Sequence, residues 1–424
     1  MIRFLIKGLI RDHSRSLFPV LMVSTGVFLT VFIYSWMNGV MSDLVRVNAQ
    51  FDTGHVKITT RAYTEIADQM PNDLALLEVS QLLEVLRNQE KAMIWTPRTR
   101  FGGLLDIPDD QGETRSQGPV MGLGIDLLSP GSPEMEILNL KNALTEGKLP
   151  KERNEILISE ELAGKLGVKI GDTATLIGST MHGAMALHNF KIAGMVRFGI
   201  TAMDKAAMIA DIGDVQFALD MPDGAAEIVG FTPDMLYSDQ AMMALAERFN
   251  KDFSKEGDEF SPVMQRLGEQ NGLVEYLGFA DAAGGIIVGI FVVAMSIVLW
   301  NSGLMNGIRR YGEIGLRLAM GEPKGTLYRR MIYESIITGL AGCILGTLLG
   351  LLLSYYMQYS GFNMGGMLKK STMLISDIIR ARVTPWSYVI GFLPGLFASV
   401  VGTMFAGIGI YRRQTAQLFK ELEV

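Results

Sequence analysis

The sequence contains one cysteine, Cys343, and only four histidines. A single cysteine excludes a disulfide within the chain. His13, His55, His182 and His188 include no pair four residues apart and no Cys/His cluster, so the spacing typical of a zinc site is missing. His182 and His188 flank a short stretch that is typical of a hairpin, which indicates ordinary solvated side chains.

Catalytic motifs are also missing. The nearest approach to a phosphate-binding loop is GGMLKKST at 365–372, but Lys369 stands where that loop requires a glycine before its lysine. The sequence has no G-x-S-x-G nucleophile elbow. We therefore expect a non-catalytic chain with no metal and no cofactor of its own, and no nucleic-acid partner.

Charge is scarce, at 19% of residues, whereas 49% are hydrophobic. Four uninterrupted apolar runs each exceed the roughly 20 residues that a helix needs to cross the hydrocarbon core of a bilayer. These runs are 17–41, 284–305, 332–357 and 388–410. The only charged residue in them is Glu334, near the start of the third run, for which an interfacial ion pair with Arg329 or Arg330 and a gating role both stay open.

The predicted fold is an α-helical membrane protein with four transmembrane helices and a large α+β domain between helices 1 and 2. The predicted segments are an N-terminal amphipathic cytoplasmic helix (1–16), transmembrane helix 1 (17–41), a periplasmic α+β domain with stalk helices (42–283), transmembrane helix 2 (284–305), a cytoplasmic loop with a short helix (306–331), transmembrane helix 3 (332–357), a short periplasmic loop (358–387), transmembrane helix 4 (388–411) and a cytoplasmic tail (412–424).

The distribution of Lys and Arg predicts that both termini are cytoplasmic. Segments on that side carry 13 basic and five acidic residues, whereas 42–283 carry 21 basic and 37 acidic residues. The short loop between helices 3 and 4 disagrees, because it carries four basic residues against Asp377. The larger excess decides the predicted orientation.

The domain at 42–283 shows short alternating or β-branched stretches separated by Gly, Pro and Asp, which predict strands. These stretches are HVKITT, AMIWTPRTRF, PVMGLGID, TATLIG and FKIAGMVRF. The stretch SEELAGKLGV predicts a helix with Ser159 as its N-cap and Gly167 at its end. DQAMMALAERFNKDF and VMQRLGEQNGLVEYLGFADAAGG both predict helices, the second continuing into transmembrane helix 2.

Glycines recur every four residues inside three of the apolar runs, a spacing that lets helices approach closely in lipid. They are Gly285 and Gly289, then Gly342, Gly346 and Gly350, then Gly391 and Gly395. Packing within one bundle and a dimer interface are both compatible with this pattern.

The segment IRRYGEIGLRLAMGEPKG, at 308–325, interrupts the apolar runs with a short amphipathic pattern. Glu313 and Arg317 are spaced as a favourable helical ion pair, and Gly321 followed by Pro323 predicts the end of the helix. From the pattern alone, this helix either lies on lipid or docks on a cytoplasmic partner.

The same region resembles the coupling region of FtsX-like ABC transporter permeases. The sequence of that region has a basic residue, then E-I-G, then a hydrophobic residue followed by R-x-h-G (h, hydrophobic), and it continues into a glycine-rich span. The stretches EILISEELAGKLGVKIGDTATL and GPVMGLGID resemble the MacB-like periplasmic domain, and DTGHVKI is similar to the lipoprotein-releasing LolC/LolE branch. The resemblance implies a coupling helix that binds an ATPase, with candidate contacts Arg310, Glu313, Ile314, Arg317, Leu318, Met320 and Gly321.

The resemblance further implies a multi-pass protein of the bacterial inner membrane that transmits the work of a cytoplasmic ABC ATPase dimer to its periplasmic domain. ATP and Mg would be bound by that separate ATPase, because the chain begins almost directly at the first span. Other implied partners are a second permease, identical or homologous, a periplasmic carrier or adaptor, and lipoprotein or lipid cargo. A MacB-like efflux permease for peptides or toxins and an FtsX-like signalling scaffold remain alternatives.

Overall fold

The computed structural model describes residues 13–109, 111–270, 273–309, 311–364 and 376–412. The chain divides into two units. The helical unit comprises Met1–Ser42, Ala280–Phe362 and Ile379–Val424, and the sheet unit comprises Asp43–Phe279 and Asn363–Ile378. Most of the amphipathic helix predicted at 1–16, and the tail after residue 412, lie outside the described residues.

Helices account for most of the helical unit and also alternate with the strands of the sheet unit. The α-helices are α1 (His13–Asn48), α2 (Arg61–Glu65), α3 (Val79–Gln89), α4 (Glu134–Ile137), α5 (Leu140–Ala143), α6 (Glu160–Leu166), α7 (Thr201–Ala206), α8 (Ile212–Ala218), α9 (Asp239–Phe253), α10 (Leu273–Ile308), α11 (Tyr311–Ala319), α12 (Lys324–Ser360) and α13 (Ser399–Arg412). There are two π-helical turns in the described residues. Ala49–Thr53 directly follows α1, and Leu393–Ala398 directly precedes α13.

The strands belong to one ten-stranded sheet and one small two-stranded sheet. They are β1 (Val56–Thr60), β2 (Ile94–Pro108), β3 (Thr114–Ile125), β4 (Leu144–Gly147), β5 (Glu155–Ser159), β6 (Thr173–Ser179), β7 (Met185–Val196), β8 (Ala207–Asp211), β9 (Glu227–Phe231), β10 (Pro262–Arg266), β11 (Phe362–Asn363) and β12 (Ile378–Ile379). Short 3₁₀ turns lie at Ala67–Gln69, Asn72–Leu74, Leu267–Glu269 and Pro385–Tyr388.

Four helical segments of the described chain are long and apolar enough to cross a membrane. They are Leu17–Thr53, Ala282–Ala319, Lys324–Ser360 and Pro385–Ile408. With the α+β domain between the first and second of them, this arrangement confirms the predicted fold class. The side of the membrane on which each terminus lies stays a prediction.

Four strands and two helices form a split β-α-β arrangement. The strand order is β10-β1-β9-β2, with each neighbouring pair antiparallel. Helix α3 connects β1 to β2, and helix α9 connects β9 to β10, which is the ferredoxin-like order. Both helices pack on this sheet through apolar side chains that include Leu83, Leu86, Leu245 and Phe249.

The chain between the two halves of this arrangement forms a closed ring of strands. Strand β2 pairs along one edge with β3 and along the other edge with β9 and then β6. The order β2-β3-β8-β5-β7-β6 therefore returns to β2, because β6 pairs with both β7 and β2. Closure leaves these strands few unpaired edges.

The closed ring of strands encloses an apolar core. In this sheet, aromatic side chains pack over glycines of the neighbouring strand. The ring of Phe101 occupies the place where a Cβ of Gly122 would stand on the neighbouring strand. Trp95 covers Gly230 in the same way. Buried apolar side chains line the inside, among them Leu105, Ile158, Leu176, Phe190, Ile192 and Met208. Any larger residue at these glycines would displace a buried ring.

Several local predictions can be compared with the structure. The helix predicted from DQAMMALAERFNKDF is α9, and Gly167 ends α6 with a left-handed backbone. Ser159 occupies the N-cap position of α6, but its side chain does not cap the helix. The prediction of a helix that begins at Val263 is wrong for its first residues, because Pro262–Arg266 forms strand β10 and pairs with β1. Pairing with an existing sheet edge outweighed the local helical pattern there.

His55 is a buried neutral histidine beside β1. Its Nδ1 accepts a hydrogen bond from the backbone N–H of Thr232 at 3.2 Å, and its ring packs edge-on against Phe231 and Tyr237. Burial lowers the pKa of His55 to about 4, although the nearby Asp234 carboxylate raises it in part. The folded chain therefore favours the neutral imidazole.

We expect acid to destabilise the sheet unit through His55. Between pH 6.5 and about 4 the unfolded chain binds the proton that the folded chain excludes, so stability is lost as the pH falls through this window. At about pH 5 the expected loss is on the order of 2 kcal/mol relative to neutral pH. Unfolding followed by tryptophan fluorescence measures it, because Trp95 is buried in the same unit.

His55→Asn is the matched control, since an amide oxygen can accept the Thr232 hydrogen bond without titrating. The variant should lose less stability than the wild type between neutral pH and pH 5. An equal pH dependence in the two proteins would contradict the assignment.

Candidate functional site

Helix α11 is a short amphipathic helix held between the second and third long apolar helices. One of its faces is buried against other helices of the helical unit. Tyr311 and Ile314 pack with Leu327 and Met331, and Leu318 is partly buried against the same cluster. The Tyr311 hydroxyl donates a hydrogen bond to the carbonyl of Ala406 on α13. The helix is therefore anchored both to α12 and to α13.

The end of α11 is a Schellman motif. The N–H of Glu322 donates to the carbonyl of Arg317 at 3.1 Å, and the N–H of Gly321 donates to the carbonyl of Leu318 at 3.0 Å. Gly321 has a φ of 90°, in the left-handed region that favours glycine. Pro323 then occupies the N-cap position of α12. The predicted roles of Gly321 and Pro323 in ending this helix correspond to this geometry.

The opposite face of α11 is open and has a compact chemical pattern. Leu316 and Met320 are 48% and 72% exposed. Beside them Glu313 and Arg317 form an ion pair at 2.8 Å. Because residues three and four apart are neighbours on a helix, these four side chains form one patch, which we call the α11 patch. It combines two apolar side chains with one charge of each sign.

The residues predicted from the sequence to contact an ATPase lie on both faces of α11. Glu313, Arg317 and Met320 lie on the α11 patch, whereas Ile314 is buried against the bundle. Arg310 lies outside the described residues. The candidate set omits Leu316, which is exposed. The spacing Tyr311, Ile314 and Leu318 would have identified the buried face, because it extends over two turns.

The glycines of the third run lie where α12 crosses α1. A Cβ on Gly342 would lie 2.7 Å from the Cβ of Val23, and a Cβ on Gly350 would lie 2.9 Å from the Cβ of Val31. A Cβ on Gly346 would collide with the carbonyl oxygen of Ser24. These three glycines therefore set the distance between the two helices.

The other predicted glycines differ between runs. A Cβ on Gly391 or Gly395 would collide with the side chain of Val27, so the fourth apolar segment also approaches α1 closely. Among the described residues, no atom lies within 4 Å of a Cβ built on Gly285 or Gly289. A packing role for these last two stays a prediction, and it would require a partner.

Two further predicted features concern charge. Arg330 forms an ion pair with Glu322 at 2.6 Å, and the carbonyl of Glu334 accepts a hydrogen bond from the Thr338 hydroxyl. The role of Glu334 stays open. Within the described ranges, no group of three or more His, Cys, Asp or Glu side chains is placed to hold a metal ion.

Sequence reasoning missed a set of buried and half-buried charged residues in the sheet unit. Their side chains come from segments far apart in the chain, so no local spacing could reveal them. The set comprises Asp52, Lys57, Arg98, Arg100, Glu134 and Glu227.

These features define a membrane protein with four spans, a large α+β unit and a short anchored helix between the second and third spans. Residues 285–415 match the family model described as FtsX-like permease C-terminal. This part of the chain therefore resembles the C-terminal domain of FtsX-like permeases.

The chain is also similar to two relatives over about two thirds of its length. The chain is 24% identical over 282 residues to the putative hemin transport system permease protein HrtB of Staphylococcus haemolyticus, covering 66% of this chain and 68% of that protein. It is 24% identical over 267 residues to the lipoprotein-releasing system transmembrane protein LolC of Haemophilus influenzae, covering 61% of this chain and 62% of that protein. The chain thus spans about two thirds of the length of each relative.

A solved structure also aligns with about half of the chain. The crystal structure of the periplasmic region of MacB from Actinobacillus actinomycetemcomitans aligns with a TM-score of 0.36 and 13% sequence identity. The alignment covers 53% of this chain and 94% of that one.

We expect the α1–α12 contact to tolerate no added methyl group. Gly346→Ala should destabilise the helical unit by about 1–3 kcal/mol, because the new Cβ meets backbone that cannot move away. Cys343, buried and alone in the sequence, provides the measurement. The temperature at which its thiol reacts with a maleimide dye should fall in this variant.

Gly285→Ala is the matched control, since its Cβ enters open space. It should leave the reaction temperature of Cys343 unchanged. Equal shifts in the two variants would show that the close approach of α12 to α1 is unimportant.

Proposed function

We propose that this chain couples ATP hydrolysis in a separate ATPase subunit to movement of its sheet unit, on the far side of a bacterial inner membrane. The cargo in this proposal is a lipoprotein or lipid that is released from the membrane toward the periplasm. The observation that carries the proposal is the α11 patch, because it presents a firmly anchored helix to a partner.

The chemistry of the α11 patch favours a protein partner over lipid. A helix that lies on lipid presents a broad apolar face to it. In α11 the broad apolar face is buried in the bundle, and the exposed face holds two apolar side chains beside an ion pair. Apolar anchors next to paired charges are typical of a small protein–protein contact.

The anchoring of α11 explains how such a contact could do mechanical work. The Tyr311 hydroxyl bonds α13, and Ile314 packs on α12. A partner that displaces α11 would therefore displace two long helices with it. In this proposal the ATPase is a dimer, each ATPase subunit binds ATP and Mg, and a second permease, identical or homologous, completes the complex.

The cargo proposal follows the LolC relative, which is named for lipoprotein release. A periplasmic carrier or adaptor would then receive the cargo. The HrtB relative, named for hemin transport, supports a second candidate, in which the cargo is a hemin-like small molecule.

Acidic substitutions in the α11 patch should separate the chain from its ATPase. Leu316→Asp combined with Met320→Asp removes both exposed apolar side chains, and we expect at least ~10-fold weaker ATPase binding. Affinity purification of the full chain from its native host, followed by quantification of the co-purified ATPase, measures the loss.

Phe217→Asp is the control, because Phe217 is an exposed apolar residue of the sheet unit. It should retain the ATPase. If the double variant retains as much ATPase as the wild type, or if no ATPase accompanies the wild type, the proposed coupling is wrong.

The two cargo candidates differ in what the purified chain should bind. We expect mass spectrometry of the native complex to find lipids or acylated proteins, and we expect hemin titration to give no saturable shift of the Soret absorbance. A saturable shift at stoichiometric hemin would instead favour the second candidate. Neither result affects the test of ATPase binding.

A further inference from the structure

The carboxyl end of α1 is capped by side chains of the sheet unit. The π-helical turn Ala49–Thr53 follows α1 directly, and the N–H of Gly54 donates to the carbonyl of Ala49 at 2.9 Å. Later carbonyl groups of the turn are bonded by side chains instead. Arg98 donates to the carbonyl of Gln50 at 2.9 Å, and Arg100 donates to that of Phe51 at 3.0 Å. Gln270 donates to the carbonyl of Thr53 at 3.1 Å. Positive side chains also suit the negative end of the helix dipole.

Arg98 is held in one position by its own partners. It is fully buried and forms two parallel hydrogen bonds to the carboxylate of Glu134, at 2.8 and 2.9 Å. Thr96 donates a further hydrogen bond to that carboxylate, and the ring of Phe231 lies 5.4 Å from the guanidinium carbon. A bidentate pair of this kind restricts both distance and orientation.

Arg100 belongs to a ring of alternating charges. Asp52 lies 2.7 Å from Arg100 and 3.1 Å from Lys57, and Glu227 lies 3.3 Å from Arg100 and 2.7 Å from Lys57. The carboxylates of Asp52 and Glu227 raise the pKa of Arg100, outweighing the burial that by itself would lower it. The ring joins the end of the helix to β1, β2 and β9.

Apolar contacts reinforce the same junction. Val47 and Phe51 pack in a cluster with Leu123 and Phe231, and the rings of Phe51 and Phe198 lie 5.0 Å apart. Gln270 lies three residues before α10 begins, and its side chain also donates a hydrogen bond to the carbonyl of Gln265 in β10. The segment that leads into the second long helix is thus tied to the end of the first.

We propose that Arg98, Arg100 and Gln270 form a joint that makes the sheet unit follow the end of α1 as one body. This inference rests on the proposed function, in which helix movement reaches the sheet unit. The joint acts by position. The three side chains hold the helix end against β1, β2 and β9 and against the segment that precedes α10. Without them the helix could move while the sheet unit lagged behind.

Spin-label distances in the full chain, purified with its ATPase, test the joint. In a Cys343→Ala background, Arg46→Cys with Glu84→Cys reports movement between the end of α1 and the sheet unit. Glu84→Cys with Tyr359→Cys reports whether nucleotide moves the sheet unit relative to the membrane helices. Both pairs are measured without nucleotide and after trapping with ADP and vanadate.

The variant is Arg98→Met with Glu134→Leu, which removes one buried charge of each sign and therefore leaves no unpaired charge. Gln270→Met is a second, uncharged variant in case the first does not fold. Arg153→Met with Asp214→Leu is the matched control, since this ion pair of the same unit joins α8 to the loop before β5.

In the wild type and the control, the 46–84 distance should stay narrow and constant, and the 84–359 distance should change on trapping. In either joint variant, the 46–84 distribution should broaden and the 84–359 change should be lost. An unchanged 84–359 distance in the wild type would overturn the proposed function. A full change with a narrow 46–84 distance in both joint variants would overturn the joint alone.

Discussion

The carbonyl groups at the end of the first long helix impose a demand that organises the sheet unit. Buried carbonyl groups need donors, and Arg98, Arg100 and Gln270 provide them to Gln50, Phe51 and Thr53. The buried Arg98 and the half-buried Arg100 in turn need carboxylates, which Glu134, Asp52 and Glu227 supply from other parts of the chain. One helix end thereby determines where strands β1, β2 and β9 and helix α4 must lie.

Strand β2 carries both arginines and also belongs to both parts of the sheet. Its first half pairs with β9 in the ferredoxin-like arrangement, and its second half closes the ring through β6. Glycines allow this pairing to coexist with large aromatic side chains, since Phe101 covers Gly122 and Trp95 covers Gly230. The helical unit uses glycine differently, because there it brings helix backbones together where apolar surface gives no preference for protein over lipid.

Much of the architecture follows from patterns that extend over many residues. Four apolar runs, the α9 helix and the carboxyl end of α11 could be read directly, because helix periodicity, glycine and proline act locally. Strand β10 could not, since Pro262–Arg266 owes its extended form to pairing with β1. Leu316 was missing from the candidate contacts of α11, although the spacing of Tyr311, Ile314 and Leu318 marks the buried face and leaves Leu316 outside it.

The sequence by itself determined how many segments can cross a membrane, that a mixed α+β domain separates the first two, and where the short helix before Pro323 ends. These features depend on hydrophobicity and backbone preference along a continuous stretch. Only the tertiary structure decided which glycines meet another helix, and that six charged residues from distant segments neutralise one another around a helix end. Those outcomes depend on distances across the fold, which residue spacing does not encode.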